Sequence, residues 1–277
     1  MDVLVVILAG GIGERLWPLS TTERPKYLLR IDETSLIQSA FQRGLLLCNV
    51  SNIFISTIKE NSQLIMEKLP MLRKDNIILE PFARNTAAAI CLANEVLSNR
   101  AGTRPIVFIP SDSVINDLAG FKETLTSAID FASITNKITV IGVSPKDSSS
   151  QYGYIKIGSV VELGEKIFNV DRFVEKPDKT TANSYVKSCK YFWNTGMIIA
   201  TGYAIRRAIK LHANDIYENI RSHVAGSDYA YGQIKNISFD RAVLEKLDDL
   251  LMAIGTFDWE DIGSFEILAK YKIHGLS

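Results

Sequence analysis

The N-terminal segment combines glycines and cations in a way that suits binding of a polyphosphate. Gly10–Gly13 follows the aliphatic run Val3–Leu8, with only Ala9 between them. Glycine lacks Cβ and tolerates positive φ, so backbone N–H groups in such a loop can approach an anion closely. Arg15 and Lys26, the latter preceded by a stiffening proline, add positive charge near these donors. Two cations beside backbone donors suit a triphosphate chain.

Two familiar phosphate motifs are absent from this loop. The P-loop pattern fails because no Gly-Lys-Ser/Thr follows at the required spacing. The dinucleotide fingerprint begins with Gly11 and Gly13 but has Leu16 where its third glycine belongs, which disfavours a Rossmann oxidoreductase. The alternative to phosphate binding is a tight turn beside solvated cations, and Arg15 with Lys26 makes this alternative the weaker one.

An isolated aspartate follows a predicted buried strand near the middle of the chain. Asp112 comes just after Pro105–Ile109. Ligands of open α/β sheets bind beyond the carboxyl ends of strands, so Asp112 is well placed to hold Mg²⁺. Capping of the turn or of the next helix is the structural alternative.

A second acidic segment lies near the C-terminus. Asp258, Glu260 and Asp261 flank Trp259, and such a group is costly to bury without a cation. An exposed acidic turn is the alternative. Composition alone leaves open which of the three acids would bind a metal.

The segment Glu80–Ala89 contains a candidate reader of the nucleotide base. Guanine presents adjacent N–H donors, so a buried acceptor such as Glu80 would recognise it. Asn85 or Thr86 is predicted to cap the helix that follows, and a helix N-terminus aimed at the pocket would also favour anions.

The predicted strands and helices that position these residues indicate an α/β fold. Apolar strands alternate with helices through the first half, which predicts a mostly parallel sheet covered on both faces, with right-handed crossovers. The predicted strands are Val3–Leu8, Asn52–Ile58, Asn76–Leu79, Pro105–Ile109, Lys137–Val143, Tyr152–Val161, Lys166–Val174 (separated from the preceding strand by Gly164), Gly196–Ala200 and Leu250–Gly255. The predicted helices are Ser35–Cys48, Asn61–Leu69, Thr86–Leu97, Leu118–Ile134, Thr180–Lys187, helices through Tyr203–His223, Asp240–Leu247 and Ser264–Lys270.

Bulk composition limits the classes of protein that fit. The 277 residues carry 31 Lys plus Arg against 31 Asp plus Glu, so no global attraction to nucleic acid or to an anionic membrane is expected. Three scattered cysteines fit a reducing, cytoplasmic location, and Cys48 and Cys91 are predicted to be buried in helices. The short run Val3–Leu8 is predicted to be neither a signal peptide nor a membrane span. No linker divides the chain, which predicts a single domain over residues 1–277.

Several segments of the chain resemble those of a known family. Leu8–Leu19 followed by Arg24-Pro25-Lys26 is similar to the signature of sugar-1-phosphate nucleotidyltransferases. The segment Glu80–Ala87 resembles the E-P-x-x-R-N-T-A motif of the mannose-1-phosphate guanylyltransferase family. Further similar segments, in order, are Tyr152–Ile155, Phe173–Pro177, Tyr191–Met197, Ser238–Lys246 and Trp259–Gly263. Ser113 stands where the family more often has histidine.

The resemblance implies a fold and a set of roles. The implied fold is a Rossmann-like three-layer α/β/α nucleotidyltransferase, with a nucleotide-binding part at about 1–145 and a sugar-binding lobe at about 146–277. It implies catalytic roles for Arg15, Lys26, Asp112 and Asp261, the two aspartates holding Mg²⁺. The implied nucleotide-binding residues are Leu8, Ala9, Gly10, Gly11, Gly13, Glu80, Asn85, Thr86 and Ser111. The implied sugar-phosphate-binding residues are Gly153, Glu175, Lys176, Asn194 and Gly196.

The implied reaction is guanylyl transfer from GTP to mannose 1-phosphate, giving GDP-mannose and pyrophosphate. No nucleic-acid or membrane partner is expected, and a homodimer is a candidate assembly. No C-terminal β-helical or cupin-like domain is expected after the catalytic part. The alternatives are a guanylyltransferase for a heptose- or fucose-type phosphate, a cytidylyl- or uridylyltransferase, and a catalytically silent nucleotide-sugar sensor.

Overall fold

The computed structural model describes residues 2–161 and 166–274, which form a mixed α/β structure. The strands in chain order are β1 (Leu4–Leu8), β2 (Arg30–Ile31), β3 (Thr34–Ser35), β4 (Ile53–Ile58), β5 (Ile77–Glu80), β6 (Pro105–Pro110), β7 (Ser113–Val114), β8 (Thr139–Val143), β9 (Tyr154–Val160), β10 (Ile167–Val174), β11 (Tyr191–Thr201), β12 (Leu251–Gly255), β13 (Glu260–Asp261) and β14 (Ile273–His274). The α-helices are α1 (Leu36–Leu45), α2 (Ser62–Lys68), α3 (Asn85–Val96), α4 (Ser98–Ala101), α5 (Leu118–Thr135), α6 (Lys179–Ser188), α7 (Gly202–His212), α8 (Asn214–Val224), α9 (Asp228–Gly232), α10 (Phe239–Ala242) and α11 (Phe265–Leu268).

Nine strands form the central sheet, in the order β5-β4-β1-β6-β11-β8-β12-β10-β9. β5, β4, β1 and β6 are mutually parallel, and β12 is parallel to β8. β11 is antiparallel to β6, β8 and β9, while β10 is antiparallel to β12 and β9. All strands of this sheet except β10 and β11 therefore run in one direction, which confirms the mixed, mostly parallel sheet.

Helices cover both faces of this sheet, which confirms the three-layer fold. In β1, Val5 and Ile7 belong to a core cluster that includes residues of α1 and α5. Leu4 and Val6 belong to a second cluster that includes residues of α3, α7 and α8. Successive strand residues face opposite sides of a sheet, so an uninterrupted apolar strand such as β1 requires packing on both faces.

Three local predictions need correction. β11 begins at Tyr191, five residues before the predicted start, because the aromatic segment before Gly196 pairs with β8 and β9. The predicted helix Asp240–Leu247 is divided into α10 and a separate 3-10 turn, with Val243 at φ −130° between them. Cys48 is buried as predicted but lies beyond the end of α1.

Two further sequence predictions concern the break between two strands and the absence of a membrane span. Gly164, predicted to separate two strands, lies outside the described residues. Among residues 2–161 and 166–274, no helix combines the length and apolar character that crossing a bilayer requires.

Candidate active site

The glycine loop after β1 wraps around the stem of Lys26. Gly13 has φ +84°, and a Cβ built on it would lie 2.5 Å from Lys26 Cβ. The backbone N–H of Lys26 donates to the Ile12 carbonyl at 2.9 Å. Glycine at position 13 is therefore required both by the left-handed backbone and by the close approach of the lysine.

Lys26 lies between the two aspartates that the family resemblance singled out. Its Nζ donates to Asp112 Oδ2 at 2.8 Å and to Asp261 Oδ1 at 2.9 Å. Asp112 follows β6, and Asp261 lies on β13, which pairs with β7 directly after Asp112. The short β7–β13 ladder thus brings together two acids that are far apart in sequence.

The structure separates the three C-terminal acids. Asp258 accepts hydrogen bonds from the backbone N–H groups of Asn116 and Asp117, so it fixes the start of α5. Glu260 accepts from Lys270 and from the Tyr271 hydroxyl. Asp261, the acid that the family resemblance singles out as a metal ligand, is the one that shares Lys26 with Asp112.

The charges of Lys26, Asp112 and Asp261 shift one another's pKa values. Burial disfavours the Lys26 ammonium, but Asp112 and Asp261 outweigh burial, so the pKa of Lys26 lies above its usual value. Burial also opposes ionisation of Asp112, yet Lys26 holds the pKa of that carboxyl below its usual range. Burial and repulsion from Asp112 raise the pKa of Asp261. The two carboxylates therefore need a cation between them.

The carboxylates of Asp112 and Asp261 fit the ligand preference of a magnesium ion. Mg²⁺ uses one or two carboxylates together with phosphate oxygens and waters, and Asp112 with Asp261 supplies such a pair. The ammonium of Lys26 already stands between these carboxylates as a cation. The part of the chain that the structure describes has no group of three or more His, Cys, Asp or Glu side chains placed to hold a metal.

Arg15 is placed between two cavities at the end of the loop. It lines the larger cavity with the glycine loop and also borders a second one of about 520 Å³. Its Nη1 donates to Gln151 Oε1 at 2.5 Å. A Cβ built on Gly263 would lie 3.0 Å from Arg15 Nη2, so the guanidinium also passes close to the Asp261 segment.

Glu80 is a buried carboxylate at the end of β5. It is 3% exposed, and its oxygens accept from Ser56 Oγ at 3.0 Å and from Tyr231 OH at 3.1 Å. Burial raises the pKa of Glu80 to about 7, although both hydroxyls favour the ionised form. A Cβ built on Gly10 would lie 3.4 Å from Glu80 Oε1, which places the carboxylate beside the glycine loop.

The predicted caps of α3 are not formed. Arg84 is the N-cap residue and its side chain makes no capping hydrogen bond. Asn85 Oδ1 accepts from the N–H of Thr86, and Thr86 Oγ1 accepts from the N–H of Phe239. The Thr86 hydroxyl is therefore used to connect α3 to the backbone of α10 and does not cap α3.

Most of the expected nucleotide-binding residues line one cavity of about 580 Å³. The expected residues on its wall are Leu8, Gly10, Gly11, Gly13, Arg15, Lys26, Glu80, Asn85, Thr86, Ser111, Asp112 and Gly196. Ala9 is buried and does not line the cavity. Its N–H donates to the Ser56 carbonyl, and its own carbonyl accepts from Thr57 Oγ1.

The expected sugar-binding residues form a second group around Asn194. The N–H of Asn194 donates to the Gly153 carbonyl, and Asn194 Oδ1 accepts from the N–H of Gly196, which has φ +75°. A Cβ built on Gly153 would lie 2.8 Å from Glu175 Oε2, so the Gly153 backbone passes close to that carboxylate. Glu175 also forms an ion pair with Lys176. A pair with a purely structural role would make the same contact.

Two residues near the site were missed by the sequence reasoning. Asp240 lines the larger cavity and accepts a hydrogen bond from Asn194 Nδ2 at 2.8 Å. It therefore connects the expected sugar-binding residues to the expected nucleotide-binding residues. Burial and the nearby Glu175 carboxylate raise its pKa to about 6. Its place in the segment Ser238–Lys246 was the available signal. Tyr231, which bonds Glu80, had no such signal.

The fold and this cavity define a class of protein. The nucleotidyl transferase family model matches residues 4–274, and the chain belongs to that family.

The chain is similar to two curated proteins and to one solved structure in particular. A mannose-1-phosphate guanylyltransferase from Salmonella muenchen is 35% identical over 289 residues, covering 96% of this chain and 59% of the relative. One from Escherichia coli is 33% identical over 283 residues, covering 96% and 61% respectively. The chain thus spans about three fifths of the length of these relatives. A crystal structure described as mannose-1-phosphate geranyltransferase, from Thermus thermophilus, has a TM-score of 0.85 at 26% identity and covers 95% of this chain and 77% of that one.

Proposed function

We propose that this chain transfers GMP from GTP to mannose 1-phosphate, giving GDP-mannose and pyrophosphate. The observation that carries the proposal is the presence of buried Glu80 in the same cavity as the glycine loop, Lys26 and Asp112. An acceptor for guanine thus lies in one space with groups suited to a triphosphate. The names of the relatives support the choice of mannose 1-phosphate as acceptor.

The reaction needs no protein nucleophile, because a phosphate monoester is already an anion at neutral pH. An oxygen of the sugar phosphate attacks the α-phosphorus of GTP in line, and the bond to the β-phosphate oxygen breaks. Pyrophosphate leaves with the electron pair of that bond. The protein's contribution to such a transfer is positioning and charge neutralisation.

The described residues divide these tasks by position. The backbone N–H groups of Gly10–Gly13 and the cations of Arg15 and Lys26 suit the leaving phosphates. Mg²⁺ held by Asp112 and Asp261 would offset the charge that develops on the phosphate oxygens.

The sugar is assigned to the group of residues around Asn194. Glu175 and Asp240 accept hydrogen bonds from sugar hydroxyls, Asn194 offers both a donor and an acceptor, and Lys176 orients the attacking phosphate. A cytoplasmic location, a homodimer and the single-domain organisation stay predictions.

The proposal is tested by measuring pyrophosphate release with each of the four nucleoside triphosphates and a series of sugar 1-phosphates. GTP with mannose 1-phosphate is expected to give the highest kcat/KM. A higher value with a heptose or fucose phosphate would change the sugar assignment. Binding of GTP without pyrophosphate release from any pair would indicate the nucleotide-sugar sensor instead.

The raised pKa of Glu80 predicts pH-dependent binding of GTP. Above its pKa of about 7 the carboxyl is ionised and only accepts hydrogen bonds, which matches guanine. The ionised fraction, and with it the affinity for GTP relative to ATP, is expected to rise by about tenfold between roughly pH 6 and pH 8. Equilibrium titrations with both nucleotides test this.

ATP serves as the control because it carries the same triphosphate. Ionisation of the phosphates and of other cavity groups such as Asp240 affects both nucleotides and cancels in the ratio. A GTP:ATP affinity ratio that does not change with pH would contradict the role of Glu80.

A further inference from the structure

We propose that Tyr231 and Ser56 are positioning residues that hold Glu80 as a hydrogen-bond acceptor and thereby help the site select guanine over adenine nucleotides. The inference rests on the proposed function, since it concerns how the base of the nucleotide is recognised. It assigns a role to a tyrosine and a serine that lie outside the phosphate loop and the aspartate pair.

The two hydroxyls that hold the Glu80 carboxylate come from two different elements of the fold. Ser56, on β4, donates to Oε1 at 3.0 Å, and Tyr231, on α9, donates to Oε2 at 3.1 Å. Ser56 and Tyr231 are fully buried and Glu80 nearly so. Each carboxylate oxygen thus has one fixed donor, and a carboxylate oxygen can accept more than one hydrogen bond. The remaining acceptor capacity of Glu80 is available to a base in the cavity that Glu80 lines.

The two hydrogen bonds oppose the effect of burial on the protonation state of Glu80. Hydrogen bonds donated to a carboxylate stabilise its ionised form, whereas burial alone favours the neutral acid. A neutral acid would present an O–H towards the N1–H of guanine, so two donors would face each other. An ionised carboxylate accepts both N1–H and the 2-amino group of guanine. Adenine has an acceptor at N1, which a fixed carboxylate would repel.

The surroundings of Tyr231 keep its hydroxyl a donor and its ring in place. Burial and the neighbouring Glu80 raise the pKa of Tyr231. Its ring packs edge-on against Phe82, with centroids 5.4 Å apart, and contacts the ring of His223 from α8. The other charged or titratable groups that face it are Arg84, which bonds the Gly232 carbonyl, and Cys91 from α3.

Replacement of Tyr231 by phenylalanine separates the hydroxyl from the ring. The Tyr231→Phe variant keeps the contacts with Phe82 and His223 and removes the donor to Glu80. We expect GTP to bind about tenfold more weakly to this variant, with ATP binding changed less than about twofold, because a hydrogen bond to a charged group is lost. The measurement is equilibrium titration with each nucleotide and Mg²⁺, without any sugar phosphate.

Tyr217→Phe is the matched control. Tyr217 is a buried tyrosine of the same helical layer, on α8, and its ring lies near Lys210 and Arg221 rather than Glu80. This control is expected to keep the wild-type GTP:ATP affinity ratio. An unchanged ratio in Tyr231→Phe, or an equal loss in Tyr217→Phe, would overturn the inference.

Ser56→Ala provides a second, independent variant. It removes the donor to the other oxygen of Glu80 and is expected to lower the GTP:ATP ratio by at least about threefold. It carries the same test if Tyr231→Phe fails to fold, and an unchanged ratio there counts against the inference.

The titrations distinguish this inference from the proposed function. A wild-type chain without preference for GTP contradicts the guanine assignment and the inference together. A wild-type preference that survives Tyr231→Phe contradicts only the inference. A wrong choice of sugar leaves both readouts intact, because no sugar phosphate is present.

Discussion

Asp261→Asn is expected to lower kcat for GTP and mannose 1-phosphate by roughly a thousandfold, since loss of one charge-stabilising group at a phosphoryl-transfer site costs several kcal/mol of transition-state stabilisation. Asparagine keeps the shape of the side chain and removes its charge. Asp261 accepts from Lys26 at 2.9 Å and faces Asp112, so the variant leaves Asp112 as the one carboxylate of the pair. Steady-state pyrophosphate release over a range of Mg²⁺ concentrations measures the effect.

Glu260→Gln is the matched control for this prediction. Glu260 lies next to Asp261 on β13, but its carboxylate accepts from Lys270 and Tyr271 instead of Lys26. Turnover of this variant is expected to remain within about threefold of wild type, as for a partly exposed surface ion pair. Asp261→Asn with more than a tenth of wild-type turnover, or an equal loss in Glu260→Gln, would show that Asp261 does not hold the catalytic ion.

Lys26→Met is expected to abolish most turnover and to make the stability of the protein depend on Mg²⁺. Methionine replaces the buried stem of the lysine without its charge, so Asp112 and Asp261 lose the ammonium between them. Removing one partner of a buried charge cluster is destabilising, and partial exposure of Asp112 reduces the cost here to about 2 kcal/mol. For a chain of 277 residues that loss corresponds to a fall in Tm of roughly 3–4 °C.

Addition of Mg²⁺ is expected to restore part of this Tm loss. In the wild type the ammonium competes with the ion for the same carboxylates, so Mg²⁺ alone should raise Tm less there than in Lys26→Met. Arg15→Met is the comparison variant, because it removes a cation of the same site that bonds Gln151 rather than the aspartates. An equal response of all three proteins to Mg²⁺ would contradict competition between Lys26 and the ion.

The sheet and most of its helices were predictable because their signals are local. Buried parallel strands appear as aliphatic runs, as in β1 and β6, and the helices between them show helical spacing of apolar residues. The boundaries were less predictable where tertiary pairing overrides local signals. The start of β11 depends on pairing with β8 and β9, and Val243 interrupts what looks like one helix in the sequence.

The residues of the candidate site were predictable where they lie in short continuous segments of the sequence. The glycine loop and Asp112 each follow a strand, Glu80 ends one, and strand ends gather at one edge of a parallel sheet. The contacts of Glu80 with Ser56 and Tyr231 were not predictable, because the three residues come from separate elements that only packing brings together. The same holds for Asp240 and Asn194.

The sequence by itself determined the fold class, the glycine loop and a set of three acids near the C-terminus. These features depend on residue type and short-range spacing. Only the tertiary structure decided which groups each acid contacts. The β7–β13 pairing turns Asp261 towards Lys26 and Asp112, while Asp258 holds the start of α5 and Glu260 pairs with Lys270. Contacts between residues so distant in the chain are set by how the elements pack, and no local pattern encodes them.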